Sequence, residues 1–143
     1  MENVDNKNYW IITVSNPWCN SILLDYKTME IRKNVPSNLN VGDIIFIVRK
    51  GNHGHIVGAC RVESVFRMPL IYFLNHHSCE HRLSGEMLKK YVGNSGSLYG
   101  IGLKRLKSDS WGLTVRSFGF ERSPQWFYKI SPEYKSTIER VLA

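Results

Sequence analysis

Four polar side chains between positions 27 and 32 are the residues of this sequence most able to do chemistry. The segment reads KTMEIR, so an ammonium group, a hydroxyl, a carboxylate and a guanidinium follow one another closely. An extended strand sends alternate side chains to the same face, so Thr28, Glu30 and Arg32 would share one face. Lys27 would lie beside them at the turn into the strand. Such a cluster is either a salt-bridge network on the surface or a polar site.

Lys27 and Glu30 are the candidate catalytic residues of this cluster. Burial lowers the pKa of a lysine and a neighbouring carboxylate raises it, so the charge state of the lysine depends on which effect is larger. A lysine in such a setting can serve as general base or nucleophile. In a binding site the same pair would only contact the ligand.

The elements that surround this segment are predicted from hydrophobic pattern and turn residues. Aromatic and β-branched residues predict a strand at residues 9–14, and Asn16 and Pro17 predict the start of a helix that carries Trp18. Further strands are predicted at residues 44–48, 55–66, 98–106 and 126–130, and further helices at residues 84–91 and from about residue 131.

This arrangement resembles the ASCH domains of the PUA-like superfamily. There a short helix leads into a Gly-x-Lys-Thr-x-Glu-x-Arg signature, and a Gly-Asp strand and an Ile-Val-Gly strand follow. Here KTMEIR, Gly42 with Asp43, and IVG at 56–58 stand in that order. The specific part of the resemblance covers residues 10–65, and Asp25 and Tyr26 replace the leading glycine of the signature. The resemblance implies an α+β fold, a small PUA-like β-barrel with peripheral helices.

Both ends of the chain also resemble the EVE domains of the same superfamily, through YWII at residues 9–12 and PQWF at residues 124–127. PUA-like domains generally hold RNA or modified nucleobases in a cleft lined by the signature region. The resemblance therefore implies a partner that is RNA, another single-stranded nucleic acid or a modified nucleoside. The binding residues expected in the cleft are Thr28, Arg32 and Trp18, the last because it lies just upstream of the signature.

The resemblance also leaves a hydrolase open as the alternative. A small bacterial group with this fold resembles an amidohydrolase of N4-acetylcytidine that uses the signature lysine, a threonine and a glutamate just before the later helix. Lys27 matches, but Glu30 stands where that group has its threonine hydroxyl. Glu80 and Glu86 are the candidates for the third residue. Other ASCH proteins resemble ribonucleases of single strands, and a protein-interaction module ranks last because nothing in the sequence selects it.

Length and cysteine content bound the type of protein. A chain of 143 residues can bury about two-thirds of its unfolded surface in one core, so we expect a flexible segment 1–8 and a single domain at 9–143. Cys19, Cys60 and Cys79 are odd in number and scattered, and no signal-peptide pattern precedes them. No apolar run approaches the length of a membrane span. An intracellular location, cytoplasmic or nuclear and without membrane contact, fits best.

Positive charge is concentrated in the C-terminal part of the chain. Residues 1–86 carry nine Lys and Arg against eight Asp and Glu, whereas residues 87–143 carry ten against four. An excess of Lys and Arg is the electrostatic footprint of a protein that meets phosphate backbones. The expected phosphate-binding residues are Lys104, Arg105, Lys107, Arg116 and Arg122.

Histidines and tryptophans supply two further candidates. The segment HHSCEH at residues 76–81 has imidazoles and a thiolate that zinc accepts, but the rest of the sequence offers no second cluster at paired spacing. We therefore predict neither a metal nor a cofactor. Most tryptophans are expected in the core. Trp111 stands in a turn-like segment, where a large aromatic residue is expected to be exposed.

Overall fold

The computed structural model describes residues 7–93, 96–107 and 112–143, except that the Lys107 side chain lies outside this description. Six strands are assigned, β1 Tyr9–Val14, β2 Met29–Arg32, β3 Ile44–Arg49, β4 Ile56–Pro69, β5 Ser97–Lys107 and β6 Phe127–Lys129. Five α-helices accompany them, α1 Trp18–Leu23, α2 Leu70–Asn75, α3 Ser78–His81, α4 Gly85–Val92 and α5 Lys135–Leu142. The fold is therefore α+β, as predicted.

The strands form one mixed sheet in the order β2-β5-β4-β3-β1-β6. The pairing of β1 with β3 is parallel, and the other pairings are antiparallel. Strands β2 and β6 are the two edges of this sheet within the described ranges. The predicted closed barrel is thus not confirmed, because β2, which has only four residues, pairs with β5 and not with β6.

Both faces of the sheet are buried, which explains the continuous apolar run in β1. Trp10 and Ile12 pack in a core with α1, while Ile11 packs on the opposite face. A 3-10 helix at Val115–Phe118 and α5 cover that second face. A third core joins β2 to α2 and α4 through the apolar side chains of β2, Met29 and Ile31. The alternation predicted for this strand is therefore present.

The Gly-Asp pair before β3 ties three parts of the chain together. Asp43 is buried, and its carboxylate accepts hydrogen bonds from the backbone N–H groups of Asn8 and Asn40 and from Nε1 of Trp10, each at 2.9 Å. Gly42 has a φ of +96°, a value that favours glycine. A buried carboxylate with three donors is well satisfied, so this pair has a structural role.

The predicted elements correspond to observed ones within a few residues, with two exceptions. Helices α2 and α3 were not predicted, because an apolar run at residues 70–74 and a polar segment at 75–81 are each too short to show a helical period. The exposure predicted for Trp111 lies outside the described residues. None of the helices described is long and apolar enough to cross a membrane.

His81 fixes α3 against its neighbours. Its Nδ1 accepts a hydrogen bond from the backbone N–H of Leu83 at 2.9 Å, so Nε2 carries the proton and donates to the carbonyl of Phe73 at 3.2 Å. Burial lowers the pKa of His81, against a smaller raising effect of the Phe73 hydrogen bond. The ring is therefore neutral in the fold.

The pH dependence of stability tests this assignment. Because the pKa of His81 is lowered on folding from 6.5, the unfolded chain takes up a proton on acidification before the folded chain does. The stabilisation is complete above about pH 6.5 and is lost as the pH falls towards the folded-state pKa. The free energy of unfolding in urea should fall between pH 8 and pH 5 in the unmodified protein. This fall should be smaller in His81→Asn, by at most ~1.4 kcal/mol per pH unit. Equal slopes in the two proteins would contradict a neutral buried His81.

Candidate functional site

A cleft of about 660 Å³ lies between the end of β1, strand β2 and helix α4. Its innermost lining is the charged group Lys27, Glu30 and Arg32, of which Lys27 is only 2% exposed and Glu30 only 8%. We call these three residues the floor cluster. The polar signature on β2 therefore faces a concave surface, while its apolar residues pack in the third core.

A chain of polar contacts joins the members of the floor cluster. The Glu30 carboxylate accepts a hydrogen bond from Nε of Arg32 at 2.8 Å through Oε2, and its Oε1 lies 3.7 Å from Nζ of Lys27. Nζ of Lys27 donates to the carbonyl of His81 at 2.6 Å. Arg32 in turn donates from Nη2 to the carbonyl of Thr13 at 3.0 Å. The cluster thus links β2 to α3 on one side and to β1 on the other.

The floor cluster combines two basic side chains with one carboxylate. Burial lowers the pKa of Lys27, the Glu30 carboxylate opposes this, and the Arg32 guanidinium lowers the pKa further. One carboxylate serves both basic side chains, so the cluster has one more basic group than acidic groups. This excess favours a ligand that brings a hydrogen-bond acceptor or a negative charge to Lys27.

Helix α4 and the segment before it form the opposite wall of the cleft. Leu83, Met87, Lys90 and Tyr91 line it, and they recur at the three- and four-residue spacing of one helix face. These residues were not predicted from the sequence as site residues. The available signal was the amphipathic pattern of the predicted helix at residues 84–91, but nothing local indicated that this face turns towards β2.

Aromatic and basic side chains line the remainder of the cleft. Trp18 is partly buried and packs against the first core, while Tyr91 is 38% exposed. Lys33 and Lys90 are exposed lysines of the lining, and Nζ of Lys33 lies 5.4 Å from the centre of the Tyr91 ring. The cleft therefore combines a charged floor with aromatic walls and lysines at its mouth.

Thr28 is placed differently from the other signature residues. Its backbone N–H donates to the carbonyl of Glu80 at 2.9 Å, and its carbonyl accepts from the N–H of Leu103 at 2.8 Å. Its side chain is not among those that line the cleft. The backbone of Thr28 thus anchors β2 between α3 and β5.

Neither glutamate considered as a third catalytic residue reaches the cleft. Glu80 is partly exposed, and its carboxylate contacts Nδ1 of His77 at 2.7 Å, while Nε2 of His77 lies 2.9 Å from the hydroxyl of Tyr72. Glu86 lies exposed in the first turn of α4 and is not among the residues that line the cleft. Of the carboxylates described, Glu30 alone lines the cleft.

The expected phosphate-binding residues lie outside the cleft. Lys104 and Arg105 are exposed on β5, and Arg105 forms an ion pair with Asp25 at 3.0 Å and donates to the carbonyl of Leu23 at 3.1 Å. Arg116 is exposed on the 3-10 helix that covers the second face of the sheet, and Arg122 is exposed in the loop that follows. Lys107 ends β5, and its side chain lies outside the description.

The histidines and cysteines of residues 76–81 do not gather into one cluster. In the part of the chain that the structure describes, no three His, Cys, Asp or Glu side chains are close enough together to hold a metal ion. His76 stacks on the Tyr72 ring at 4.6 Å, and His81 is fixed by its backbone contacts. Cys79 is exposed, whereas Cys19 and Cys60 are buried free thiols.

Solved structures with a similar fold are known, although the sequence itself matches little. No protein-family model matches the sequence, and no curated protein matches it significantly. The solved structure of ASCH from Zymomonas mobilis superposes with a TM-score of 0.78 over 93% of this chain and 94% of that one, at 14% identity. A point variant of the same protein gives a TM-score of 0.80 over 95% and 97%, also at 14% identity.

A second type of domain is similar at greater distance. The YTH domain of a Zygosaccharomyces rouxii protein, solved in complex with N6-methyladenosine RNA, superposes with a TM-score of 0.55 at 9% identity. It covers 99% of this chain and 90% of its own. Since both likenesses extend over nearly the whole chain, the resemblance first noted in the signature segment holds for the complete architecture. This chain therefore has the ASCH/PUA-like fold.

Proposed function

We propose that this protein is a reader of RNA that holds one nucleobase, most favourably a modified one, in the cleft above the floor cluster. One observation carries the proposal: a buried hydrogen-bond donor and a buried acceptor stand side by side at the bottom of a cleft with aromatic walls. Single-stranded bases are recognised by such hydrogen bonds to their edges together with stacking on aromatic side chains.

The floor cluster supplies the polar part of the recognition. Oε2 of Glu30 is engaged by Arg32, while Oε1 is 3.7 Å from Lys27, beyond hydrogen-bond distance. Oε1 therefore retains capacity to accept from an exocyclic N–H of a base, and the Lys27 ammonium has donors beyond the one given to His81. A neighbouring N–H and C=O, as in the edge of a base or an acylated amine, would satisfy both groups.

The walls suit a flat ligand of nucleoside size. The cleft volume of about 660 Å³ lies within the range of roughly 300–1,000 Å³ typical of small-molecule sites. Trp18 and Tyr91 offer π-faces, and Met87 offers an adaptable apolar contact. Lys33 and Lys90, exposed at the mouth, are available for the phosphates that flank the bound base.

The fold neighbours support the same class of ligand. The YTH domain to which the chain is similar was solved with N6-methyladenosine RNA, so a similar fold accommodates RNA that carries a modified base. For this chain, N6-methyladenosine and N4-acetylcytidine are the two modified nucleosides to test first. Lys104, Lys107, Arg116 and Arg122 are proposed to contact RNA beyond the cleft, and an intracellular location follows from an RNA ligand.

Hydrolysis is the second candidate, and the lowered pKa of Lys27 is the observation that favours it. A lysine of this kind can act as base or nucleophile. The arrangement around it favours binding instead. Lys27 is held by His81, Glu30 is held by Arg32, and neither Glu80 nor Glu86 lines the cleft. A reader therefore accounts for more of the geometry than an amidohydrolase or a ribonuclease.

The salt dependence of RNA binding tests the position of the ligand. Replacing Lys33 and Lys90 together by alanine should lower the slope of log K against log salt by about 1.4, since each phosphate contact of a single strand contributes about 0.7. The measurement is fluorescence anisotropy with a labelled single-stranded oligonucleotide at several salt concentrations.

Lys89→Ala is the matched control, because Lys89 precedes Lys90 on α4 and is equally exposed but does not line the cleft. Its slope should stay close to that of the unmodified protein. If Lys89→Ala and the double variant have the same slope, the RNA does not enter at this mouth. A separate variant at Lys104 and Arg122 reports on contacts beyond the cleft.

Product analysis separates the reader from the enzyme. The purified protein should release no cytidine from N4-acetylcytidine and leave single-stranded RNA intact, as followed by liquid chromatography over several hours. The expected effect of Lys27→Ala is weaker binding only, by roughly 1.5–3 kcal/mol for a lost contact to a charged group. Repeated turnover by the purified protein that falls 10²-fold or more in Lys27→Ala would overturn the reader in favour of the hydrolase.

A further inference from the structure

Trp126 is an exposed tryptophan that is held in a fixed orientation. Trp126 is 47% exposed, and its Nε1 donates a hydrogen bond to the carbonyl of Asn34 at 3.1 Å. Its ring also packs edge-to-face against Phe127, with ring centres 5.5 Å apart. An indole that is both anchored and open to solvent presents a preorganised apolar surface.

Three consecutive residues connect this indole to the cleft. Arg32 belongs to the floor cluster, Lys33 lines the mouth, and Asn34 holds Trp126. The guanidinium of Arg32 also lies 5.8 Å from the centre of the Phe127 ring, the ring on which Trp126 packs. Two residues of extended chain span only about 7 Å, so the anchor point of the indole lies close to the cleft.

We propose that Trp126 is a second base platform, on which the nucleobase adjacent to the one in the cleft stacks. This inference rests on the proposed function and extends it: the ligand is a single-stranded RNA of at least two nucleotides, not a free nucleoside. The phosphate between the two bases lies at Lys33, which stands between the cleft residue and the anchor residue of the indole.

The chemistry of the platform selects for a single strand without selecting its sequence. Every base has a π-face, so stacking on an indole tolerates any base, whereas hydrogen bonds at the floor cluster distinguish the base in the cleft. In a duplex the neighbouring bases stack on each other and are not free to lie on Trp126. The anchor to Asn34 limits the entropy that the indole loses when the base binds.

Titration calorimetry with two probes tests the platform. One is the single nucleoside, N6-methyladenosine or N4-acetylcytidine, and the other is a five-nucleotide single-stranded RNA with that nucleoside in the middle. Trp126→Ala should weaken binding of the RNA by about 5- to 150-fold, the effect of losing one stacked base. It should leave the affinity for the nucleoside unchanged. Trp126→Phe, which keeps a ring but lacks the N–H, should retain more of the RNA affinity than the alanine variant.

A second measurement leaves the protein unchanged. RNA in which an abasic site replaces the nucleotide on one side of the central nucleoside should bind the unmodified protein about as weakly as intact RNA binds Trp126→Ala. Nucleoside binding with no loss of RNA affinity in Trp126→Ala, or with equal losses for both probes, would overturn the platform and leave the proposed function standing. If neither probe binds the unmodified protein, the proposed function fails and the platform fails with it.

Discussion

A single buried carboxylate, that of Glu30, holds together the region on which the proposed function depends. It lies between the Lys27 ammonium and the Arg32 guanidinium, and each cation extends the network to a backbone carbonyl of another element. Through Lys27 the strand β2 is tied to α3, and through Arg32 it is tied to β1 at the far side of the sheet. Strand β2 is a four-residue edge strand that pairs with β5 on one side only. The contacts of Lys27 and Arg32 therefore help to fix its position beside the cleft.

The same network contributes little net stability to the fold. The free energy that charged groups lose when they leave water is seldom fully offset by their mutual attraction. Here one carboxylate serves two basic groups. The lowered pKa of Lys27 is a direct sign of this cost, since burial disfavours its charged form. Asp43 provides a contrast within the same chain, because its buried carboxylate is satisfied by three N–H donors and has no access to the cleft lining. We infer that Asp43 serves the fold and that the floor cluster serves the ligand.

The sequence could predict the features that depend on neighbours along the chain. The alternation of β2, the helix that begins after Pro17 and the helix predicted at residues 84–91 are all local patterns. The walls of the cleft could not be predicted in this way, because Met87 and Lys90 meet β2 only through the packing of α4 in the third core. The residues around Trp126 in the sequence do not indicate that its indole is anchored by Asn34, which lies 92 positions earlier.

The placement of the basic residues shows the same limit. Charge alone predicted Lys104 and Arg105 as ligand contacts, but β2 pairs with β5 only from Tyr99 to Gly102. The basic end of β5 continues beyond that register, where Asp25 engages Arg105. The charge distribution thus predicted a polyanionic partner without locating the contact, because the cleft lysines Lys33 and Lys90 are placed by the position of β2 and by the packing of α4.

The most direct test of the claim that the floor cluster serves the ligand is the paired measurement of stability and affinity in Lys27→Met. This change removes the excess charge and leaves Glu30 and Arg32 as a balanced pair, at the loss of the hydrogen bond to the His81 carbonyl. The free energy of unfolding in urea should therefore change by no more than ~1 kcal/mol, while binding of the modified nucleoside weakens by roughly 1.5–3 kcal/mol. Glu30→Gln should instead lower the free energy of unfolding by roughly 3–5 kcal/mol, since it removes the only carboxylate shared by Lys27 and Arg32 and leaves each of them only a backbone carbonyl as partner. A Lys27→Met protein that is strongly destabilised but binds the nucleoside with unchanged affinity would contradict this assignment.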